Sequence, residues 1–187
     1  MKRHFFTVIF IFVLAPWSWS QNTDTSWVGH FSYLNIKEVV SGDAKFYAAS
    51  ETAIFSYDPI RKEMNTISTI NGLSGELIST LYFSGQYETL IIGYENGLIE
   101  VYNETSQELF KVVDIINNTT IPSSEKRINH FNEFDEAVYI ATDYGISVFN
   151  LENLEFGDTY FIGENGRQVN VNQTTIFNTE IYAACGS

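Results

Sequence analysis

The sequence predicts an all-β chain built from β-propeller blades, on three observations. A strand-turn-strand motif recurs at blade-length spacing, glycine turns join alternating apolar runs, and the chain carries 3 Trp, 11 Tyr and 15 Phe to fill the space between sheets.

The N-terminal residues set the compartment. Met1-Lys2-Arg3-His4 is a basic start, and residues 5–15 are an almost unbroken apolar run. That run is shorter than the roughly 20 residues of a spanning helix, and Ser18 and Ser20 follow it at the spacing of a signal-peptidase site. Residues 1–20 are therefore read as a signal peptide cut between Ser20 and Gln21, in preference to an uncleaved anchor, and 21–187 as the N-terminal part of a β-propeller domain. No later stretch is apolar enough to be a transmembrane segment, so the expected destination is the periplasm or the cell surface.

Loss of Lys2 and Arg3 leaves 8 basic against 23 acidic residues, a net charge of −15. Such a surface repels a phosphate backbone, which excludes nucleic acid as a partner, and it repels an anionic membrane face equally. At 187 residues and 44% hydrophobic the chain has the size of one domain with a packed core. The single Cys185 cannot form a bridge within the chain and is read as a small buried side chain.

The repeat has four copies, at 46–58, 90–103 and 138–150, with a truncated one at 181–187. Equivalent residues Tyr47, Ile91, Tyr139 and Tyr182 are 44, 48 and 43 residues apart, the spacing of propeller blades. Each copy reads as a hairpin whose turn carries Asn96-Gly97 or Tyr144-Gly145, where glycine permits a positive φ. Ala53 stands at that place in the first copy and predicts a turn of another type.

Alternating runs upstream of each hairpin, at 36–40, 78–83, 128–134 and 171–177, supply a further strand. A fainter fourth is expected at 64–70 and 109–115, giving four-stranded blades and almost no helix. Small residues recur at Ala48-Ala49, Gly93, Ala141 and Ala183-Ala184, and are predicted on the strand nearest the central channel, where blades taper. About three and a half blades cannot close a ring, so the expectation is a fragment of a larger propeller or completion by a partner chain.

Candidate chemistry is sparse. His30 and His130 lack the companions of a zinc site, and His130 is read as a strand residue facing a neighbour. Glu133 and Glu136, like Glu152 and Glu155, fall in turns and read as solvated carboxylates rather than a glycosidase pair. Glu95 and Asp143 share one turn position, but one acid per turn is too few oxygens for calcium. The sequon-like triplets at Asn103, Asn118 and Asn172 carry no argument without a known host.

Two ordered sets of motifs support a resemblance. Ile70-Asn71-Gly72-Leu73-Ser74 followed by the Ile92-Gly93 to Gly97-Leu98 hairpin resembles the regulator-type propeller repeat. Lys126-Arg127-Ile128-Asn129-His130-Phe131-Asn132-Glu133, then 142–148 and 155–162, resemble the opening of the PorZ family of the type IX secretion system, over the span from Trp27 to Ala184.

The resemblance implies a cell-surface protein of an attachment complex, which removes sorting signals from secreted cargo and links that cargo to anionic lipopolysaccharide. It further implies that the peptidase is a separate subunit, that the full form carries a second propeller and a C-terminal sorting domain, and that lipopolysaccharide contact belongs to regions outside this chain. The resemblance carries over no functional residue, so no catalytic, cofactor-binding or metal residue is assigned.

The expected function is a non-enzymatic interaction platform for other secretion and attachment-complex proteins. A periplasmic sensor propeller of a two-component regulator is the alternative. An exported propeller enzyme is a third reading, disfavoured by scattered basic and His residues.

Overall fold

The structure, a computed structural model, describes residues 34–186. The expected signal peptide, its cleavage point and His30 lie outside the described residues.

Strands follow one another as antiparallel meanders. The first blade is β1 (Glu38–Ser41), β2 (Phe46–Ala49), β3 (Ile54–Asp58) and β4 (Glu63–Ile67). The second is β5 (Ile78–Ser84), β6 (Thr89–Tyr94), β7 (Ile99–Asn103) and β8 (Glu108–Val112). The third is β9 (Ile128–Phe134), β10 (Ala137–Thr142), β11 (Gly145–Asn150) and β12 (Glu155–Tyr160). A two-stranded sheet, β13 (Val171–Phe177) and β14 (Glu180–Cys185), follows. This is the four-stranded blade repeat that the motif spacing predicts.

The turn between third and fourth strands is built alike in every complete blade. Asp58, Asn103 and Asn150 end the third strand, and the Oδ1 of each accepts an amide hydrogen from Arg61, Ser106 and Asn153, at 2.9 Å in each case. The residue before the fourth strand then takes a positive φ, at Lys62, Gln107 and Leu154. A short polar side chain bonding forward to the backbone is the usual device for such a tight loop.

The turn at 50–53 holds no positive φ. The Ser50 amide and hydroxyl both donate to the Ala53 carbonyl instead, at 2.8 and 3.0 Å.

The expected fourth strands end sooner than their apolar patterns suggest. After Ile67, Ser68 caps a 3-10 turn at Thr69–Asn71: its Oγ accepts from the Ile70 amide, and Asn71 Oδ1 accepts from the Ser68 amide. After Val112 the chain forms a single turn of helix, α1 (Asp114–Asn117). Ile115 is buried on that turn, so its apolarity serves a helix rather than a strand.

Successive first strands β1, β5, β9 and β13 touch one another across the blade boundaries, which makes them the inner edge of the array. The small residues therefore do not lie on the strand nearest the channel, as the taper predicts; they lie on the second strand of each blade. Their cause is the approach of the next blade. A Cβ on Gly93 would stand 2.8 Å from Ile128 Cγ2, 2.8 Å from Thr80 Cγ2 and 3.0 Å from Phe131 Cε2. Ala49 and Ala141 hold the equivalent place against Ile78 and Val171, and all four are fully buried.

Gly93→Ala should accordingly lower stability by about 1–3 kcal/mol, because a well-packed interface has no slack for a methyl group. Urea denaturation followed by circular dichroism checks this, with Gly85→Ala as a control where the nearest atom is 3.7 Å away. Equal midpoints for the two variants would overturn the packing argument.

The core consists of the layers between blades. One joins Tyr47, Ile54 and Ile67 to Ile78, Leu90 and Ile92, and a second joins Ile91, Ile99 and Val101 to Ile128, Phe131 and Phe149. A smaller third layer, around Ile146 and Val171, meets the two-stranded sheet.

Candidate functional site

Side chains singled out in the sequence fall into latches rather than a centre. Glu95 Oε1 lies 3.2 Å from Arg127 Nη1, and Asp143 Oδ1 accepts from Asn129 Nδ2 at 2.8 Å and Asn170 Nδ2 at 2.6 Å. Both carboxylates thus tie a second-to-third strand turn to the start of the following blade. Among the described residues no group of three His, Cys, Asp or Glu is placed to hold a metal ion.

Glu133 accepts from Ser84 Oγ of the neighbouring blade at 2.8 Å, so it too is a link between sheets. Glu136, Glu152 and Glu155 are exposed. Tyr87, in the β5–β6 turn, has its phenol pKa raised by burial and then by the charges of Glu152, Glu136 and Glu133.

His130 stands on β9, paired with Ala141. Its Nδ1 is buried without a hydrogen-bond partner. Burial lowers its pKa below 6.5, and the charge of Glu38 opposes part of that shift. The unfolded chain therefore binds this proton more tightly, and the contribution of His130 to stability is present above pH 6.5 and lost as pH falls toward the folded value. The thermal midpoint should fall on acidification from about pH 7.5 to 5.5, and fall less in His130→Gln; identical pH profiles would refute the assignment.

Cys185 differs from its expected burial and is exposed. It lies on β14, whose pairing partner among the described residues is β13.

Three polar clusters had no sequence signal strong enough to find them. Lys45 and Tyr47 of the first blade converge on Glu104 of the second, with Tyr47 Oη donating at 2.7 Å. The Tyr47 ring stacks on Phe83 at 5.7 Å. The second cluster surrounds Glu100, whose side chain is 0% exposed between Ile99 and Val101 on β7. Its carboxylate accepts from Tyr94 Oη, from the Ser74 amide at 3.0 Å, and pairs with Lys111 Nζ at 3.2 Å. Burial, then the bond to Glu100, pushes the Tyr94 phenol well above the usual tyrosine range, so it stays a donor.

In the third blade a chain of hydroxyls takes the same position, Tyr144 Oη to Ser147 Oγ at 2.7 Å and on to Thr159 Oγ1 at 3.2 Å. Beside it lies an open cleft of about 450 Å³.

Apolar surface is exposed at both ends of the array. Val39, Phe46, Tyr57 and Met64 share the outward face of the first blade. At the other end Phe177 and Tyr182 are open, and Ile146, Tyr160, Ile162 and Ile181 line a trough beside β14. No helix among the described residues is long and apolar enough to cross a membrane.

The family profile described as the type IX secretion system PorZ N-terminal β-propeller domain matches residues 46–187. Among solved structures, PorZ of Porphyromonas gingivalis, an essential bacterial surface component of that system, is similar at 20% identity and a TM-score of 0.67, over 80% of this chain and 19% of that one. The chain thus spans about a fifth of the protein it matches. The extracellular domain of a hybrid two-component system from B. thetaiotaomicron is similar at 11% identity and a TM-score of 0.65, over 81% of this chain and 20% of that one. Saccharomyces cerevisiae Sqt1 aligns at 14% identity and a TM-score of 0.64, over 84% and 46%. At these identities the structural likenesses establish the fold alone. Comparison with curated proteins finds no match.

Proposed function

The chain belongs to the PorZ N-terminal β-propeller family of the type IX secretion system, and from that premise we propose that it acts without catalysis, as an interaction platform in a cell-surface attachment complex. The observation that carries this reading is the family match across four consecutive blade motifs. The fate of the acidic residues supports it: those most suggestive of a site, Glu95, Asp143 and Glu133, are spent holding blades together, through Arg127, Asn170 and Ser84. An array of sheets joined by surface loops suits the presentation of surfaces to other proteins.

The protein is exported on a signal peptide cut between Ser20 and Gln21 and works at the outer surface of the cell. The complex links cargo to anionic lipopolysaccharide through parts of the protein outside this chain, because the acidic surface here repels that polymer.

Chemical cross-linking in the host's envelope fraction, followed by affinity capture and mass spectrometry, tests the reading. The expected recovery is a PorZ-length polypeptide beginning at Gln21, cross-linked to the sorting-signal peptidase. A polypeptide continuing into a membrane helix and a kinase would replace this reading with that of a sensor.

A further inference from the structure

The cleft beside the hydroxyl chain has a counterpart in the second blade that the protein fills itself. Glu100 pairs with Ile92 and with Lys111 across its sheet, and Ser147 pairs with Ile140 and lies opposite Thr159, so the two positions are equivalent in the repeat. In the second blade a carboxylate and a lysine occupy the space, and the chain entering the blade comes down to place the Ser74 amide on the carboxylate. In the third blade both side chains are cut back to hydroxyls. The entering chain stands off as α1, whose residues become the far wall of a cleft of about 450 Å³. That volume lies within the range of roughly 300–1,000 Å³ typical of small-molecule sites.

We propose that this cleft binds one residue of a neutral sugar, a reading independent of the function proposed above. A pyranose ring presents an apolar C–H face and a rim of hydroxyls, and needs an aromatic or aliphatic surface with donors and acceptors beside it. The floor supplies the hydroxyl chain of Tyr144, Ser147 and Thr159, in which exposed Thr159 keeps spare hydrogen-bonding capacity.

Phe156, held against Phe149 at 5.2 Å, is a half-buried ring on one wall, and exposed Val113 on α1's side faces the same space. On the rim, the Asn117 amide and the Asp114 carboxylate make no side-chain hydrogen bond to another described residue, and together they offer two donors and acceptor oxygens to vicinal hydroxyls. No Lys or Arg lines the cleft. The one charge there is negative, which disfavours uronic acids and phosphorylated sugars.

The test is an amide-resonance titration of the full chain with methyl α-mannopyranoside, methyl β-glucopyranoside and N-acetylglucosamine, and with glucuronate as the anionic control. Saturable shifts confined to 113–118 and 144–159 are expected with at least one neutral sugar, at the millimolar affinity usual for a shallow site. Two variants decide whether the cleft is responsible. Ser147→Glu with Thr159→Lys rebuilds the pair of the second blade and closes the space, and Asn117→Ala, on the exposed rim, keeps the test decisive if the double variant fails to fold.

Each variant should weaken binding at least tenfold. The proposal is overturned if no neutral sugar gives saturable shifts, if glucuronate binds as well, if the shifts map elsewhere, or if the folded variants bind undiminished.

Discussion

Replacing Glu100 by alanine is expected to destabilise the folded chain by about 2–4 kcal/mol, because it strips the acceptor from the Tyr94 hydroxyl, which water cannot reach, and leaves a cavity. Tyr94 is fully buried and its hydroxyl has Glu100 as acceptor, and the Ser74 amide loses the carboxylate that holds the 72–76 loop against the blade. The orphaned Tyr94 donor costs about 1–3 kcal/mol, the half-buried Ser74 amide adds less because water can reach it, and the vacated space adds a cavity. Lys111 contributes less to the loss, since its side chain is 46% exposed and recovers hydration. The measurement is urea denaturation monitored by circular dichroism.

A second variant separates the cluster from its position. Glu100→Ser with Lys111→Thr copies the third blade's arrangement and should recover part of the stability, since Tyr94 regains a hydroxyl partner as Tyr144 has in Ser147. If Glu100→Ala cost less than about 1 kcal/mol, water would have to reach Tyr94, and the account of a dry, paired carboxylate would be wrong.

What the sequence makes legible follows from how local its cause is. Strands β9 and β13 match their predicted limits, because alternation over seven residues is a property of the strand itself. The Gly97 turn is read correctly for the same reason. The ends of the fourth strands are misread, since apolar Ile70 and Ile115 look like strand continuation until the Ser68 cap and the α1 turn are seen to claim them.

The small residues are correctly singled out and wrongly placed. Their cause, the approach of Ile128 and Phe131 to Gly93, joins residues more than thirty positions apart. The Glu100 cluster has the same character. Its donor, the Ser74 amide, belongs to the stretch that carries the family resemblance, yet nothing in the spacing shows that the two meet. The cleft of the third blade is visible only when two blades are superposed by register, and neither Ser147 nor Thr159 is unusual in a strand.

Gly145→Ala is expected to cost about 3 kcal/mol, through two separable effects. Gly145 closes the two-residue Asp143-Tyr144 loop with φ at +148°, a conformation that a side chain resists. A Cβ there would also lie inside the van der Waals shell of the Tyr160 carbonyl oxygen, and would approach the carbonyl carbon at 3.3 Å. Backbone cannot rotate away as a side chain does, so relief requires opening the β11–β12 ladder where Ile146 pairs with Tyr160.

Gly166→Ala isolates the first effect: φ there is +74°, with nothing within 4 Å of the added methyl, so about 1 kcal/mol of conformational cost is all it should show. Thermal and urea denaturation of the two variants measure the difference directly. Because the ladder at Tyr160 adjoins Thr159 and the hydroxyl chain, Gly145→Ala should also shift the amide resonances of Tyr144 and Ser147, while Gly166→Ala leaves them in place. Equal destabilisation by the two substitutions would mean that the blade absorbs the methyl group without parting its strands, and that the approach of β12 to this turn is softer than its geometry implies.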